Sequence, residues 1–173
     1  MKRLRPPVHE ETLYSLHAGD KVLITGTVYT ARDQAHVRLV EEKNPPFVLQ
    51  GAIIYYVGPT PAKEGQVIGS SGPTSAYRMD ELSVPLMEQG VKIMIGKGDR
   101  SEAFQKAMRN NKALYLIATG GAAALLASKI KSRKLLAYEE LGPEAVYELQ
   151  VEDFPCFVAY DLHGKSIFRR QST

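Results

Sequence analysis

A run of apolar and β-branched residues, "KVLITGTVYT" from Lys21 to Thr30, passes directly into "ARDQAHVRLVEE" (31–42), where Ala31, Ala35 and Leu39 recur at helical spacing. The two together read as a β-turn-α unit. A second such unit is clearer still: "KALYLIAT" (112–119) is a buried strand, a Gly pair makes the turn, and "AAALLASKI" (122–130) is helical throughout. Between them the pattern predicts a strand in "GAIIYYVGP" (51–59), a short strand in "GQVIGSSGP" (65–73) and a helix in "MDELSVPLMEQG" (79–90) interrupted by Pro85. It further predicts a strand running into a glycine loop in "KIMIGKG" (92–98) and a helix in "DRSEAFQKAMRNN" (99–111) with acid in its first turn. "RKLLAY" (133–138) reads as one more strand. "EAVYELQVEDFPCFVAYDLHGKSIF" (144–168) reads as two or three strands with a His163-Gly164 hairpin turn before Lys165. β-rich ends around βα units predict an α/β fold with a mixed sheet, one domain over 1–173.

Composition bounds the functional classes. At 173 residues and 44% hydrophobic, the chain can bury one sizeable core and little more. Charged residues make up 24% and balance to +3 with no run of Lys or Arg, which argues against a nucleic-acid stripe. The longest apolar stretch, "ALYLIATGGAAALLA", contains a Gly pair and is shorter than a membrane span, and "MKRLRPPVHEE" shows no apolar region after its charges. The expectation is a cytoplasmic protein with no membrane partner. The single cysteine, Cys156, excludes an internal disulfide and cannot by itself hold zinc or an iron-sulfur cluster, so no metal ligand is assigned to this chain. Flanked by Phe154, Pro155 and Phe157, it reads as a small buried side chain.

Three segments offer anion-binding chemistry. In "SGPTSAYRMD" (71–80) the Gly-Pro pair forces a turn, after which Thr74 or Ser75 can cap a following helix. Capping alone accounts for the hydroxyls, but Arg78, about one helical turn after Thr74, adds a planar cationic fork that suits a carboxylate. In "TARDQAHVR" (30–38), Arg32 follows a strand where a βα loop exposes it; Asp33 opens the helix, while His36 and Arg38 read as its polar face. In "IGKGDR", Gly96 and Gly98 let the backbone turn around Lys97 and aim its ammonium, although the spacing is not that of a P-loop. "TGGAAAL" reads as a close-packed turn and lacks the G-x-G-x-x-G pattern of a dinucleotide site.

The ordered succession "TARDQAHVR", "YYVGP", "GPTSAYRMD", "GKG", "TGGAAALLA" and "EAVYELQVEDFPCFVAYD" resembles the β subunit of two-subunit class I fumarases and L-tartrate dehydratases, over nearly the whole chain. The resemblance implies a swivelling β/β/α fold and a hetero-oligomer with an α subunit. That partner would hold a [4Fe-4S] cluster through three cysteines, leaving one iron open to a small dicarboxylate such as malate or fumarate. It also implies Thr74 as catalytic base and Arg32, Ser75, Arg78 and Lys97 as carboxylate-binding groups. Tyr77 stands where a small residue is common in the family. Reversible hydration of fumarate to L-malate is the leading reading and L-tartrate dehydration the alternative. A non-catalytic anion-binding assembly module is a third, against which the joint presence of Arg32, Thr74, Arg78 and Lys97 argues.

Overall fold

The computed structural model describes residues 2–57, 79–118 and 123–168. The expected strand at 65–73, the site residues Thr74, Ser75 and Arg78, and the Gly pair at 120–121 lie outside the described residues. Within them the chain runs β1 (Lys2–Leu4), α1 (Glu10–Tyr14), β2 (Lys21–Thr30), α2 (Asp33–Glu41), β3 (Ile53–Tyr55), α3 (Asp80–Glu88), β4 (Ile93–Gly96), α4 (Glu102–Asn110), β5 (Leu114–Ile117), α5 (Ala123–Ser128), β6 (Ile130–Ala137), a 3-10 turn (Glu139–Glu144) and β7 (Val146–Tyr160).

Strands β2, β3, β4 and β5 pair in parallel, and β7 pairs antiparallel with both β5 and β2. The ring closes on itself as a five-strand barrel, with β1 added parallel to β2 and β6 antiparallel to β7. Closure removes the sheet edges of these five strands. It also explains why β3, β4 and β5 are apolar at every position: alternate residues serve two different cores. Ile53, Tyr55, Ile93, Ile95, Leu114 and Leu116 join one cluster with Val22, Ile24, Phe154 and Cys156. Their neighbours Ile54, Tyr56, Met94 and Tyr115 join a second cluster with Ala35 and Leu39 of α2, Leu86 of α3, and Phe104 and Met108 of α4.

Three readings need correction. The segment 144–160 holds one continuous 15-residue strand rather than two or three. Its interruption signals do not end it: Asp153, at φ 51°, lies at a register irregularity where two residues of β7 face one of β2 between Ile24 and Gly26, and Pro155 keeps its register opposite Leu23. Pro85 does not interrupt α3, which runs through it. The helix starts only five residues earlier, so the proline frees a single carbonyl, that of the exposed Glu81. His36, read as part of a polar face, is fully buried. The turn before Lys165 is present: Gly164 takes φ +83°, and Tyr160 bridges antiparallel to Ser166.

Candidate active site

The ends of the parallel strands set the geometry. Thr30 pairs with Tyr55, and Tyr55 with Ile95, so these three residues stand in one row across β2, β3 and β4. Arg32 lies two positions beyond that row on one side and Lys97 two positions beyond it on the other. With β3 between them, their backbones are two strand spacings apart, roughly 10 Å. Carboxyl ends of parallel strands are where open α/β sheets place ligands, because the loops there are free to vary. The chain leaves the described residues just after Val57, at the end of the intervening strand β3, and re-enters at Met79.

Arg32 occupies the N-cap position of α2 in an extended conformation and has no side-chain cap bond. Its side chain is about a quarter exposed, and its Nε lies 3.6 Å from Oε1 of Glu144 on the turn before β7. That Nε is buried and has no hydrogen-bond partner among the described residues. Beneath it, Nδ1 of His36 donates to the Arg32 carbonyl at 2.8 Å. Burial, reinforced by the charge of Arg100, pushes His36 down to about 4, so the ring is neutral at physiological pH. The bonded Nδ1 carries its proton, and Nε2 faces the interior without a partner among the described residues.

Lys97 is exposed immediately after β4, and Gly98 supplies the left-handed backbone, φ +83°, that turns the chain away from it. Of the two glycines that flank Lys97, Gly98 makes the turn, whereas Gly96 is the last residue of the strand. Arg100 follows, and the sequence reading missed it. Its side chain is wholly buried and its Nε forms a short ion pair with Oδ1 of Asp80, the first residue of α3. The other oxygen of Asp80 accepts from the Ser101 N–H at 2.7 Å. Nη1 and Nη2 of Arg100 donate to the Tyr56 and Ser83 hydroxyl oxygens at 3.4 and 3.2 Å. The guanidinium stacks 3.5 Å from the ring centre of Phe104. Burial acts to lower its pKa, but Tyr56 and Asp80 outweigh that and hold the charge in place.

Of the five residues assigned from sequence, the described structure thus brings Arg32 and Lys97 to one end of the barrel. Asp80 closes the "GPTSAYRMD" motif that carries the other three, and it is clamped to the turn that carries Lys97. The sole sign of this clamp in the sequence is Arg100 itself, a charged residue close after an apolar strand.

A model of the fumarase C-terminus family matches residues 2–171. The chain belongs to the fumarase C-terminus family. Members similar to it include the L(+)-tartrate dehydratase subunit beta of Escherichia coli K12, 36% identical over 172 residues that cover 96% of this chain and 86% of that one. The aerobic class I fumarate hydratase of Escherichia coli K12 is 39% identical over 156 residues, covering 87% of this chain and 28% of that one. Fumarate hydratase 2 of Leishmania major is 37% identical over 176 residues, covering 96% and 31%. The fumarase C-terminus unit therefore nearly matches a separate subunit in length and spans less than a third of the two fumarate hydratases.

Cys156 sits in the barrel core, fully buried and paired through its backbone with Val22. Burial pushes its thiol up. It therefore behaves as the small core side chain its Phe and Pro neighbours predict, and it offers no thiolate to a metal. No helix among the described residues is long and apolar enough to cross a membrane.

Proposed function

We propose that the chain, 1–173 acting as one unit of swivelling β/β/α type, is the β subunit of a cytoplasmic two-subunit hydro-lyase that interconverts L-malate and fumarate. The observation that carries this reading is the level placement of Arg32 and Lys97, two cations at the same end of a barrel with one strand between them. Charges so spaced suit the two carboxylates of a short diacid, and the reactions named for the relatives act on such acids. The partner α subunit holds the [4Fe-4S] cluster, since the one cysteine here is buried in the core. When bound, that cluster supplies a Lewis acid at its open iron.

This chain's own residues do the rest. Arg32, Arg78 and Lys97 hold the carboxylates, and Ser75 adds a hydroxyl donor. Thr74 takes the C3 proton as the C2 hydroxyl departs. A threonine hydroxyl ionises far above neutral pH, so this role requires the positive charge of Arg78 and Lys97 to stabilise its alkoxide.

L-Tartrate dehydration is the second reading, favoured by the match in length to a separate tartrate dehydratase β subunit. Anaerobic co-purification with the cluster-bearing subunit, followed by dehydration assays on L-malate and L-tartrate, separates the two. The chain alone is expected to carry neither iron nor sulfide and to be inactive. In the complex, Arg32→Ala should raise KM by the equivalent of about 1.5 to 3 kcal/mol, the worth of a charge-assisted hydrogen bond. Arg78→Lys should not restore wild-type binding, because a point charge does not reproduce a bidentate fork. Turnover by the isolated chain, or a wild-type KM in Arg32→Ala, overturns the reading.

A further inference from the structure

Four residues, Lys97 to Arg100, make the turn between β4 and α4, and buried groups grip this turn from below at every step after Lys97. The Tyr115 hydroxyl donates to the Gly98 carbonyl at 2.9 Å. The Tyr160 hydroxyl donates to Oδ1 of Asp99 and accepts from the Arg100 N–H at 2.9 Å. The Arg100 N–H also reaches Asp99 Oδ1 at 2.8 Å. Arg100 then anchors the end of the turn to Asp80 of α3. Tyr115 and Tyr160 are themselves packed ring on ring, 5.7 Å between centroids, and both are essentially inaccessible to solvent.

Such a network is a poor way to gain stability. Each buried ion costs several kcal/mol of desolvation, and an apolar core of the same volume is often as stable or more so. What a satisfied buried network does provide is a single geometry for the backbone it holds. Among the described residues, Lys97, exposed on the outer side of the turn, takes no part in this network.

We propose that Tyr115, Tyr160 and the Arg100–Asp80 pair are positioning residues for Lys97, fixing the turn so that its ammonium is aimed at a substrate carboxylate. The inference rests on the reading of Lys97 as a substrate ligand given above. It assigns the phenols a role in diacid affinity although neither touches the diacid. Removing Arg100 would strand the Asp80 carboxylate and threaten folding, so the test uses the milder removal of both hydroxyls.

Tyr115→Phe/Tyr160→Phe, Lys97→Ala and the triple variant are compared with wild type in the complex with the cluster-bearing subunit. Cluster occupancy is matched, and KM and kcat for L-malate dehydration are measured alongside amide exchange at residues 98–100. The phenylalanine pair is expected to raise KM roughly tenfold, to lower kcat by no more than Lys97→Ala does, and to speed exchange in the turn. In the Lys97→Ala background the same pair should change KM by less than about twofold, because residues that act through one another do not add. An unchanged KM in the phenylalanine pair, or an equal rise in both backgrounds, overturns the positioning role while leaving Lys97 a substrate ligand. If Lys97→Ala alone leaves KM unchanged, the ligand reading of Lys97 falls and takes the positioning role with it.

Discussion

At the scale of single residues the sharpest question is what the hydroxyl of Thr74 does. Helix capping is the structural alternative, but the N-cap position of α3, the next described helix, belongs to Met79. If the hydroxyl moves a proton, Thr74→Ala should lower kcat on the order of 100-fold or more with a smaller effect on KM, since the lost interaction operates mainly in the transition state. Thr74→Ser should retain most of the rate, and Ser75→Ala should weaken binding more than chemistry. Malate dehydration at matched cluster occupancy, with melting temperatures alongside, decides between them. Should Thr74→Ala lose about 1 kcal/mol of stability and keep its kcat, this threonine is a cap. The same scale shows why Arg100 escaped the sequence reading while Arg32 and Lys97 did not. A cation just after an apolar strand is recognisable from local pattern, whereas a buried ion pair between residues twenty apart depends on how α3 packs beside α4.

Elements repeat the lesson, and the turn after β7 offers a test of it. Asp161 is buried, and its carboxylate accepts from the backbone N–H groups of Ala18, His163 and Lys165, each at 2.9 Å. Burial acts to raise its pKa, but these three donors prevail and hold it below the ordinary aspartate value. A carboxylate with a depressed folded pKa contributes stability that is complete above its unfolded pKa and is lost as pH falls through the folded one. Asp161→Asn should therefore cost about 1 to 3 kcal/mol at pH 7, and the cost should shrink below about pH 4. Urea denaturation of both proteins at pH 7, 5 and 3.5 measures it; a cost independent of pH would mean that the charge plays no part. The sequence legibly marks β2, β4 and β5 because their apolar runs are bounded by Gly, Asn or charged residues. It divides β7 wrongly because Asp153 and Pro155 are turn residues by local chemistry, and only the pairing with β2 carries one strand through both. Ser101 is a further case: its hydroxyl caps α4 by accepting from the Phe104 N–H at 3.1 Å, so the helix begins at Glu102 and not at Asp99.

At the scale of the molecule, the described residues form a closed barrel with a second apolar layer under α2, α3 and α4, and that second layer contains charge. His36 and Arg100 share it with Tyr56, whose ring meets the His36 ring edge-on at 5.4 Å. Residue type puts His36 outside, but its position, one after Ala35 and three before Leu39, places it on the single buried face of α2, while Gln34, Val37, Arg38 and Val40 are exposed. The consequence is a pH dependence of the entire fold. In the folded chain His36 is held near 4 by burial and by the Arg100 charge, against the opposing bond to the Arg32 carbonyl and the charge of Asp33. Unfolding releases it to an ordinary value of about 6.5, so between those limits the unfolded state binds the extra proton. The His36 contribution to stability should accordingly be flat above about pH 7, decline as pH falls from about 6.5 towards 4, and level off below. At about 1.4 kcal/mol for each pH unit, the total loss from this one group is roughly 3 kcal/mol. His36→Gln keeps a donor for the Arg32 carbonyl but cannot be protonated, and it should remove most of the slope between pH 6.5 and 4.5 without altering the loss below pH 4 that belongs to Asp161. Urea midpoints measured for both proteins at half-unit steps from pH 7.5 to 4 provide the comparison. Parallel curves would show that His36 is protonated as readily in the folded chain as in the unfolded one, and the buried neutral ring beneath Arg32 would have to be given up.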